Sequence, residues 1–419
     1  MSLPKVLIIG QPFNQNTGGG ITLTNLFAGW EKEKLAVACS GYLLNDDVDP
    51  TICDTYYQLG HKEKTWLFPF NLLRRKYPSG LAKLKGKTAK GLTIEKSKLR
   101  VNLLMNYVNP FFDILGLNHF IYKTDLSDEF KAFLDEFDPD VIYAQASSRD
   151  GILFCTRVYN YLKKPFILHM MDDWPSTLAD DAILRKYWKR KIDGEFRILL
   201  NHTDLMMTIC DEMSREYKSR YGKDSVAFHN PTDIPFWKKH QRNEYKLSES
   251  PTVLYAGRTG LGIKNSLVSI AKAIGEVNKK LNTGIKFVLQ TAENPAWTAD
   301  YPWVEHKAFV PYDQLPKVFA EADFLILPYD FSTKAIKYIQ YSMPTKASEF
   351  MVSGTPVIVF APEVTAVVKY ANEHGWAKVV TKNHYQELAH ALEQLVLQQS
   401  ERERIASNAI RVAESRHDE

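Results

Sequence analysis

The stretch that decides the fold is Tyr341-Ser-Met-Pro-Thr-Lys-Ala-Ser-Glu-Phe-Met-Val-Ser-Gly-Thr-Pro-Val-Ile-Val-Phe360. Its order of polar, apolar, Gly and Pro residues predicts a loop, a short helix, a turn and a buried strand. Lys346 and Glu349 stand three residues apart near the start of the predicted helix, so their side chains share one face. The first turn of a helix also offers unpaired backbone N–H groups, which bind phosphate. These groups together predict a pocket for a nucleoside diphosphate.

This segment resembles the donor site of GT-B glycosyltransferases, specifically of the retaining family 4 type. The family pattern is Glu-x7-Glu followed by small residues, Gly-x-Pro and a strand, and its second Glu aligns with Glu349. The first Glu would fall at position 341, which is Tyr341 in this chain. The segment is similar to the Ser-x-Pro-x-Lys-x-x-Glu variant of some bacterial capsule and lipopolysaccharide transferases. The resemblance implies that Glu349 binds the ribose hydroxyls, and it leaves open which group holds the sugar hydroxyls.

A second motif, Gly257-Arg-Thr-Gly-Leu-Gly-Ile-Lys264, lies between a predicted strand and a predicted helix. Arg258 offers a planar fork suited to bidentate phosphate contact, and Lys264 adds a point charge. In family 4 enzymes a Gly-Arg and a later Lys bind the donor diphosphate. The resemblance therefore implies that Arg258, Lys264 and Lys346 neutralise the diphosphate as it leaves. A purely structural role, with both cations of this motif on the surface, is the alternative.

Two further loops are implied to border the same ligand. Gly18-Gly-Gly20 lies between the first strand and the first helix, and in the resemblance Gly19 and Gly20 touch the donor phosphate or the acceptor. Simple loop geometry is the alternative, since a Gly-rich turn is common in α/β domains. The loop Phe309–Pro316 is implied to contact the nucleotide base through its backbone around Val310. Backbone contacts leave no trace in residue identity, so the sequence does not name the base.

The candidate catalytic residues follow a predicted buried strand at 165–170. The carboxyl end of such a strand opens to the crevice of a parallel sheet. The family motif His-Asp-x-Trp-Pro aligns with residues 171–175, and the family His is replaced by Met171. His169 lies two residues upstream and by strand alternation shares that face, or else belongs to the core. Asp172 or Asp173 is predicted to orient the acceptor or act as a base, with a helix N-cap as the alternative.

Length and composition bound the remaining possibilities. The chain has 419 residues, 45% of them hydrophobic and 24% charged, which predicts two domains with separate cores. The four cysteines lack paired spacing, which predicts free thiols in a reducing compartment and no zinc cluster. The sequence contains no apolar run of about 18 residues and no signal peptide at its start, so we expect a cytoplasmic protein without a membrane span.

The net charge of +4 is unevenly distributed along the chain. Residues 61–100 contain twelve Lys or Arg and two acidic residues, and a second basic run is Arg185–Lys191. Basic residues interleaved with aromatic ones suit an anionic membrane surface, and a solvated Lys-rich insertion is the alternative. Nucleic acid is not an expected partner, because it would not need a diphosphate pocket. The apolar stretch 103–116 is predicted to pack into the core.

Alternating strands and helices predict an α/β fold. With the resemblance, this becomes a GT-B fold of two doubly wound parallel-sheet, Rossmann-like domains facing a cleft. We expect an N-terminal acceptor-binding domain at 1–235 with a basic insertion at about 55–125. A donor-binding domain at 251–395 and a C-terminal helix at 396–419 follow.

The resemblance implies a retaining, metal-independent hexosyltransferase that acts in bacterial surface polysaccharide synthesis. It would move a sugar from a nucleotide-diphosphate donor to a glycan or polyprenyl-diphosphate-linked acceptor. No cofactor is expected besides the nucleotide sugar, and no metal ligand cluster is recognisable in the sequence. Peripheral contact with the inner membrane face is left open. Two alternatives stand beside this reading. One is a nucleotide-sugar epimerase, and the other is a non-catalytic nucleotide-sugar-binding subunit, which Tyr341 and Met171 favour.

Overall fold

The protein is described by a computed structural model. It covers residues 3–44, 48–72, 76–85, 88–90, 112, 114–178, 180, 182–260 and 262–418. The chain divides into two compact units, unit 1 (Met1–Phe228) and unit 2 (His229–Glu419). No helix in the described part of the chain combines the length and the apolar character needed to cross a bilayer.

The helices of unit 1 are α1 (Gly18–Leu26), α2 (Leu117–Ile121), α3 (Asp128–Phe137), α4 (Arg149–Leu162), α5 (Trp174–Thr177), α6 (Arg185–Asn201) and α7 (Asp211–Tyr221). Its strands are β1 (Val6–Gly10), β2 (Leu35–Ser40), β3 (Tyr56–Leu59), β4 (Lys64–Trp66), β5 (Gly80–Leu81), β6 (Lys83–Lys85), β7 (Thr88–Lys90), β8 (Tyr122–Thr124), β9 (Val141–Ala144), β10 (Phe166–Met170), β11 (Leu205–Thr208) and β12 (Val226–Ala227). Short 3-10 turns lie at Lys32–Lys34, Gly41–Leu43 and Phe70–Leu72.

The main sheet of unit 1 has the strand order β12-β11-β10-β9-β1-β2-β3-β5. Its pairings are parallel except that β5 runs antiparallel to β3. The inner strands are continuous apolar runs, as in β1 and in Leu35–Cys39, because helices cover both faces of such a sheet. The predicted doubly wound parallel sheet is therefore confirmed for this unit.

The helices of unit 2 are α8 (Ile234–Lys238), α9 (Lys264–Leu281), α10 (Leu315–Glu321), α11 (Thr333–Ile339), α12 (Lys346–Ser353), α13 (Ala366–His374), α14 (Tyr385–Leu397) and α15 (Gln399–Arg416). Its strands are β13 (Thr252–Ala256), β14 (Lys286–Gln290), β15 (Val304–Lys307), β16 (Phe324–Pro328), β17 (Val357–Phe360) and β18 (Lys378–Val380). They form a parallel sheet in the order β15-β14-β13-β16-β17-β18. Short 3-10 turns lie at Ala296–Asp300 and Tyr312–Gln314.

The segment that decides the fold has the predicted structure of loop, helix, turn and strand. Helix α12 ends at Gly354, whose φ of 74° lies in the left-handed region that favours glycine. A Cβ at this position would also stand 2.6 Å from the carbonyl oxygen of Arg242. Thr355 and Pro356 then lead into β17, which is buried throughout. Conformation and close packing both require the glycine here.

The two ends of unit 2 lie side by side. The backbone N–H of Thr232 donates to the carbonyl oxygen of His417 at 2.7 Å. The ring of His417 contacts the carbonyl oxygen of Asn230 through Nδ1 at 3.0 Å and the Tyr370 hydroxyl through Nε2 at 3.0 Å. Burial, aided by the nearby His229, lowers the pKa of His417 to about 3. This ring is therefore neutral near pH 7 and holds the junction by hydrogen bonds.

One prediction about unit 1 needs correction. Gly18–Gly20 do not form a loop but begin α1, where the Thr17 side chain accepts a hydrogen bond from the N–H of Gly20. The first residues of the predicted insertion at about 55–125 form β3, which pairs in parallel with β2. Most of the basic residues 73–100 and of the apolar stretch 103–116 lie outside the described residues or have no described side chain. The predicted basic surface and the predicted core packing of 103–116 therefore stay predictions.

Candidate active site

Both sheets reverse their strand order at one point, and that point identifies where ligands bind. In unit 1 the reversal lies between β1 and β9, and in unit 2 it lies between β13 and β16. In open parallel sheets, ligands bind outside the carboxyl ends of the strands at such a switch point, since the loops diverge there and leave a crevice. The predicted site residues of each unit are therefore expected to lie near the switch point of that unit.

The loop between β13 and α9 lies at the switch point of unit 2 and carries two of the predicted cations. Arg258 and Lys264 are exposed, and neither side chain forms a hydrogen bond or an ion pair with another described residue. The carbonyl oxygen of Arg258 accepts a hydrogen bond from the Tyr255 hydroxyl at 2.5 Å, which fixes the backbone of the loop. Lys264 is the first residue of α9, where the partial positive charge of the helix adds to its own.

The same loop is tied to the end of the neighbouring strand β16. The Asp330 carboxylate accepts a hydrogen bond from the backbone N–H of Ser266 at 2.9 Å. The Ser266 hydroxyl donates to the carbonyl oxygen of Tyr329 at 2.8 Å, and the N–H of Asp330 donates to the carbonyl oxygen of Gly262 at 2.7 Å. These bonds hold the start of α9 in place, so Lys264 is presented on a fixed backbone.

Lys346 and Glu349 begin α12 and are brought together as predicted. Nζ of Lys346 lies 3.6 Å from Oε2 of Glu349. Glu349 is 2% exposed, and neither of its carboxylate oxygens accepts a hydrogen bond in the described structure. Burial raises the pKa of Glu349, while the Lys346 ammonium and the Tyr312 hydroxyl act in the opposite direction. Burying a carboxylate that accepts no close hydrogen bond is costly, and a ligand hydroxyl in this position would lower that cost.

Aromatic side chains lie near the Lys346–Glu349 pair. Nζ of Lys346 lies 5.5 Å from the ring centre of Phe319, within the range of a cation–π contact. Tyr312 lies within the predicted base-binding loop and stacks on Phe236 at 5.8 Å. Val310 lies half-buried in that loop, two residues before Tyr312. Tyr312 was not predicted as a site residue, because an aromatic residue in a loop gives no specific signal.

The candidate catalytic residues of unit 1 separate into three environments. His169 is 1% exposed in β10, its Nδ1 lies 2.5 Å from the Tyr143 hydroxyl, and its Nε2 has no hydrogen-bond partner in the described structure. Burial lowers the pKa of His169 to about 4, so the ring is neutral near pH 7. Asp172 is exposed just beyond the carboxyl end of β10, as the sequence indicated. Met171, which replaces the family His, is half-buried.

Asp173 has the environment of a residue that stabilises the fold, which favours a structural role over the predicted catalytic one. Its carboxylate receives two hydrogen bonds from Arg220, at 2.8 and 3.0 Å, and one from the Tyr217 hydroxyl at 3.0 Å. The residue is 4% exposed. Because both oxygens are occupied in a buried ion pair, Asp173 is not available as a base. Its side chain instead joins α7 to the end of β10.

The glycines of α1 are explained in part by packing. A Cβ on Gly20 would stand 2.2 Å from Nδ2 of Asn14, so this position excludes any side chain. Asn14 in turn accepts hydrogen bonds through Oδ1 from the N–H and the hydroxyl of Thr17, at 2.8 and 2.9 Å. A Cβ on Gly19 would meet only ordinary contacts, with Gln11 and with Oε1 of Gln145. Gly19 therefore leaves open the space beside Gln145.

Gln145 also lines a cavity of about 310 Å³ in unit 1, which the sequence did not predict. It lies at the carboxyl ends of β1, β2, β3 and β9, and its polar lining includes Lys64, Gln145 and Asp150. The available signal was the polar segment Gln145–Asp150, which stands between a buried strand and a helix. Lys64 gave no such signal because it comes from a distant part of the chain.

Comparison with known proteins agrees with this geometry. Residues 250–398 match the family model for Glycosyl transferases group 1. The matched group 1 region contains Arg258, Lys264, Lys346 and Glu349. No curated protein sequence matches the chain.

Solved structures resemble the whole chain at low identity. HepE from Anabaena, solved in complex with UDP, has a TM-score of 0.57 at 13% identity, covering 99% of this chain and 96% of its own. Sucrose-phosphate synthase from Thermosynechococcus elongatus has a TM-score of 0.62 at 13% identity, covering 99% and 95%. A Listeria monocytogenes protein assigned as a UDP-N-acetylglucosamine 2-epimerase has a TM-score of 0.54 at 12% identity, covering 98% and 94%. At such identity the likeness shows the fold, which is the GT-B fold of two Rossmann-like domains. With the group 1 match, it supports a GT-B glycosyltransferase.

The environment of Glu349 leads to a test with two opposite effects. Glu349→Gln should raise the thermal stability of the free protein, because a carboxylate whose folded-state pKa is raised destabilises the fold once it is ionised. The gain should be absent at low pH, where the carboxyl is protonated in both states, and should grow as the pH rises. The same variant should reduce discrimination between ribo- and 2′-deoxyribonucleotides. Melting curves over a pH series, with and without UDP and dUDP, measure both effects.

The matched control for this test is Glu363→Gln, which neutralises an exposed carboxylate of unit 2. It should change neither the melting temperature nor nucleotide discrimination. A pH-independent stability of Glu349→Gln, together with unchanged discrimination, would contradict the assignment of Glu349 to ribose.

Proposed function

We propose that the protein is a retaining glycosyltransferase that moves a sugar from a nucleotide-diphosphate donor to a glycan or lipid-linked acceptor. The proposal includes a place in bacterial surface polysaccharide synthesis and a mechanism that needs no metal ion. Support comes from the group 1 match over residues 250–398 and from the GT-B fold. HepE, which is similar in fold, is solved with UDP, so UDP is the first nucleotide to test.

The observation that carries the proposal is the buried pair at the start of α12. Glu349 has two carboxylate oxygens without hydrogen-bond donors, and a ribose offers two neighbouring hydroxyls. A hydroxyl pair would satisfy these oxygens and offset the unfavourable burial of the carboxylate. Lys346, one helical turn earlier, stands where it would contact the phosphate next to that ribose. This arrangement is expected of a nucleotide site.

The reaction follows from the cations of unit 2. Arg258, Lys264 and Lys346 would stabilise the negative charge that develops on the leaving diphosphate, and such fixed charges are usually the largest single contribution to catalysis. The sugar centre would pass through an oxocarbenium-like state, as in other glycosyl transfers. Asp172 remains the candidate for orienting the acceptor hydroxyl, because it is exposed at the carboxyl end of β10. Retention of anomeric configuration rests on the family resemblance.

An epimerase and a non-catalytic subunit remain the competing functions. The fold is shared with the Listeria protein assigned as an epimerase. Tyr341 stands where the family has its first Glu, and its hydroxyl accepts a hydrogen bond from Nε2 of Gln340 at 3.1 Å. A tyrosine in this position cannot act as a carboxylate toward the donor sugar. This substitution favours the non-catalytic alternative.

The deciding experiment measures binding and turnover separately. Melting temperatures of the full chain are recorded with UDP, GDP, ADP, CMP and dTDP and then with their common sugar conjugates, since a ligand of the folded state raises the melting temperature. The preferred donor is then incubated with glycan acceptors, and product and its anomeric configuration are followed by NMR. Binding with transfer supports the enzyme, and binding without turnover supports the non-catalytic subunit. Isomerised donor sugar indicates an epimerase, and no binding at all contradicts all three.

Peripheral membrane contact is a further part of the proposal, supported by α6 and the residues before it. Ile183, Leu184 and Tyr187 are more than half exposed, and Lys186 and Arg190 are exposed beside them. Apolar insertion combined with basic charge is what interfacial binding requires. The double variant Lys186→Glu with Arg190→Glu should therefore lose most of its co-sedimentation with vesicles of phosphatidylglycerol and phosphatidylcholine.

The control for the membrane test is Lys272→Glu with Lys279→Glu, which makes the same charge change on the exposed face of α9 in unit 2. This control should sediment like the unaltered protein. Equal sedimentation of both double variants would show that net charge, and not the α6 surface, determines binding. Absence of sedimentation by the unaltered protein would contradict membrane contact altogether.

A further inference from the structure

The cavity of unit 1 is lined by polar side chains to which the proposed transfer reaction assigns no role. It lies at the switch point of the unit, between the residues that follow β1 and those that follow β9. Its volume of about 310 Å³ is at the lower end of the range of about 300–1,000 Å³ typical of small-molecule sites. A ligand of one or two sugar rings suits this size.

The charges that line the cavity cancel each other. Nζ of Lys64 lies 3.3 Å from Oδ2 of Asp150 and 3.3 Å from the Ser40 hydroxyl. Burial acts to raise the pKa of Asp150, but Lys64 and the Ser148 hydroxyl outweigh it, so the pKa is lowered and the carboxylate is ionised near pH 7. Among the described lining residues, this pair supplies both of the charged side chains. The wall therefore offers hydrogen-bond donors and acceptors without a net charge, which disfavours a phosphate or carboxylate ligand.

The two thiols in the wall do not alter this balance. Cys39 and Cys155 line the cavity, and burial raises the pKa of each to about 12. Both are therefore neutral thiols near pH 7. The phenol rings of Tyr42 and Tyr122 complete the wall and give flat apolar surface of the kind that packs against sugar rings.

One amide on the wall is held in a fixed orientation by buried groups behind it. Nε2 of Gln145 donates a hydrogen bond to the Tyr143 hydroxyl at 3.0 Å. That hydroxyl also forms a hydrogen bond with Nδ1 of His169, 2.5 Å away. Tyr143 and His169 are 2% and 1% exposed, so this pair has no solvent with which to exchange partners. Oε1 of Gln145 would lie 3.9 Å from a Cβ placed on Gly19, and it accepts no hydrogen bond from a described residue.

We propose that this cavity binds an uncharged sugar unit, with Oε1 of Gln145 accepting a hydrogen bond from one sugar hydroxyl. Lys64 and Asp150 supply a neighbouring donor and acceptor, and Tyr143 and His169 are positioning residues that fix the Gln145 amide. The assignment of this sugar as the acceptor of the reaction rests on the proposed function. The assignment of the cavity as a neutral-sugar site does not.

The test uses the full chain and measures sugar and nucleotide binding separately. The sugar probes are methyl α-D-glucopyranoside, methyl β-D-galactopyranoside and N-acetylglucosamine, with glucose 6-phosphate and glucuronic acid as anionic counterparts. Affinities are measured by ligand-observed NMR titration, and UDP binding is measured by calorimetry. At least one neutral probe should bind, and its anionic counterpart should bind more weakly.

The variants identify the sugar hydroxyl that Gln145 binds and test whether Tyr143 and His169 position the Gln145 amide. Gln145→Ala should weaken the preferred sugar roughly 3- to 10-fold, the usual effect of one hydrogen bond. Monodeoxy analogues should reveal one hydroxyl whose removal causes no further loss in this variant. Tyr143→Phe should reduce discrimination against that same analogue, because the amide is then free to rotate, and circular dichroism confirms that the variant is folded. UDP affinity should be unchanged in both, and Gln386→Ala, an exposed glutamine on α14, should change neither affinity.

Each result either supports or contradicts the proposed neutral-sugar site. Neutral-sugar binding that depends on Gln145 supports the inference even if none of the nucleotides binds, in which case the proposed transferase function fails alone. UDP binding without neutral-sugar binding, preference for the anionic probes, or sugar binding that is unaffected by Gln145→Ala overturns the inference while leaving the transferase function intact. If Tyr143→Phe is unfolded, the Gln145→Ala and deoxy-sugar comparison decides the matter.

Discussion

Arg258→Ala should weaken the binding of UDP, or of another preferred nucleoside diphosphate, by about 1.5–3 kcal/mol, the usual contribution of a hydrogen bond to a charged group. This corresponds to an increase in Kd of roughly 10- to 150-fold. Arg258 is exposed at the switch point of unit 2 and forms no ion pair with a described residue, so its guanidinium is available to a ligand. Calorimetric titration of the full chain gives the Kd directly.

Two companion variants show whether the effect belongs to the guanidinium. Arg258→Lys keeps the charge but not the planar fork, so its affinity should lie between those of the unaltered protein and Arg258→Ala. Lys272→Ala removes one positive charge from an exposed position on α9 and should leave the Kd unchanged. An Arg258→Ala variant that binds the nucleotide as tightly as the unaltered protein would remove Arg258 from the donor site.

Asp173→Ala should destabilise unit 1 by about 3 kcal/mol. Removing one member of a buried ion pair leaves the other charge uncompensated, which costs about 3–5 kcal/mol. Here we expect the lower end, because Arg220 also contacts Glu216 at 2.7 Å on its more exposed side. The buried Tyr217 hydroxyl loses its acceptor in the same variant. Denaturant or thermal unfolding, combined with hydrogen exchange of the α7 and β10 peptides, assigns the loss to unit 1.

The controls distinguish the loss of a buried ion pair from the loss of a charge at an exposed position. Asp224→Ala removes the carboxylate that pairs with Lys218 on the surface, and it should have little effect because exposed pairs contribute little. Combining Asp173→Ala with Arg220→Met should be less damaging than the sum of the two single variants, since no unpaired charge remains. Unchanged exchange rates in α7 and β10 of Asp173→Ala would show that this ion pair does not stabilise the unit.

The arrangement of the candidate donor-binding residues of unit 2 was predictable because its geometry is local. Lys346 and Glu349 share one helix face through a spacing of three residues, and Arg258 and Lys264 follow one strand and begin one helix. Each relation depends on the backbone within a few residues, so the sequence states it directly. The doubly wound sheets were predictable for the same reason, since each strand is a short apolar run followed by a helix.

The environments of the candidate site residues in unit 1 were not predictable because their contacts span long stretches of chain. Two adjacent carboxylates at the end of a strand suggested catalysis, but the partner that buries Asp173 is Arg220, 47 residues later. The cavity of unit 1 pairs Lys64 with Asp150, and Tyr143 with His169, and neither pair shares a motif. Gly20 was predicted to touch a ligand, whereas the structure gives its small size a packing reason beside Asn14. In each case tertiary packing decided what the residue type left open.

The junction between Thr232 and His417 has a consequence for the architecture of unit 2. Because the chain enters and leaves this unit at one hydrogen-bonded point, a short linker could join the two ends and new termini could be opened in a surface loop. Such circular permutation succeeds when the original termini are close and the new ones lie in exposed segments. The order in which the elements of unit 2 are synthesised would then change, while its sheet and the Lys346–Glu349 pair would keep their places.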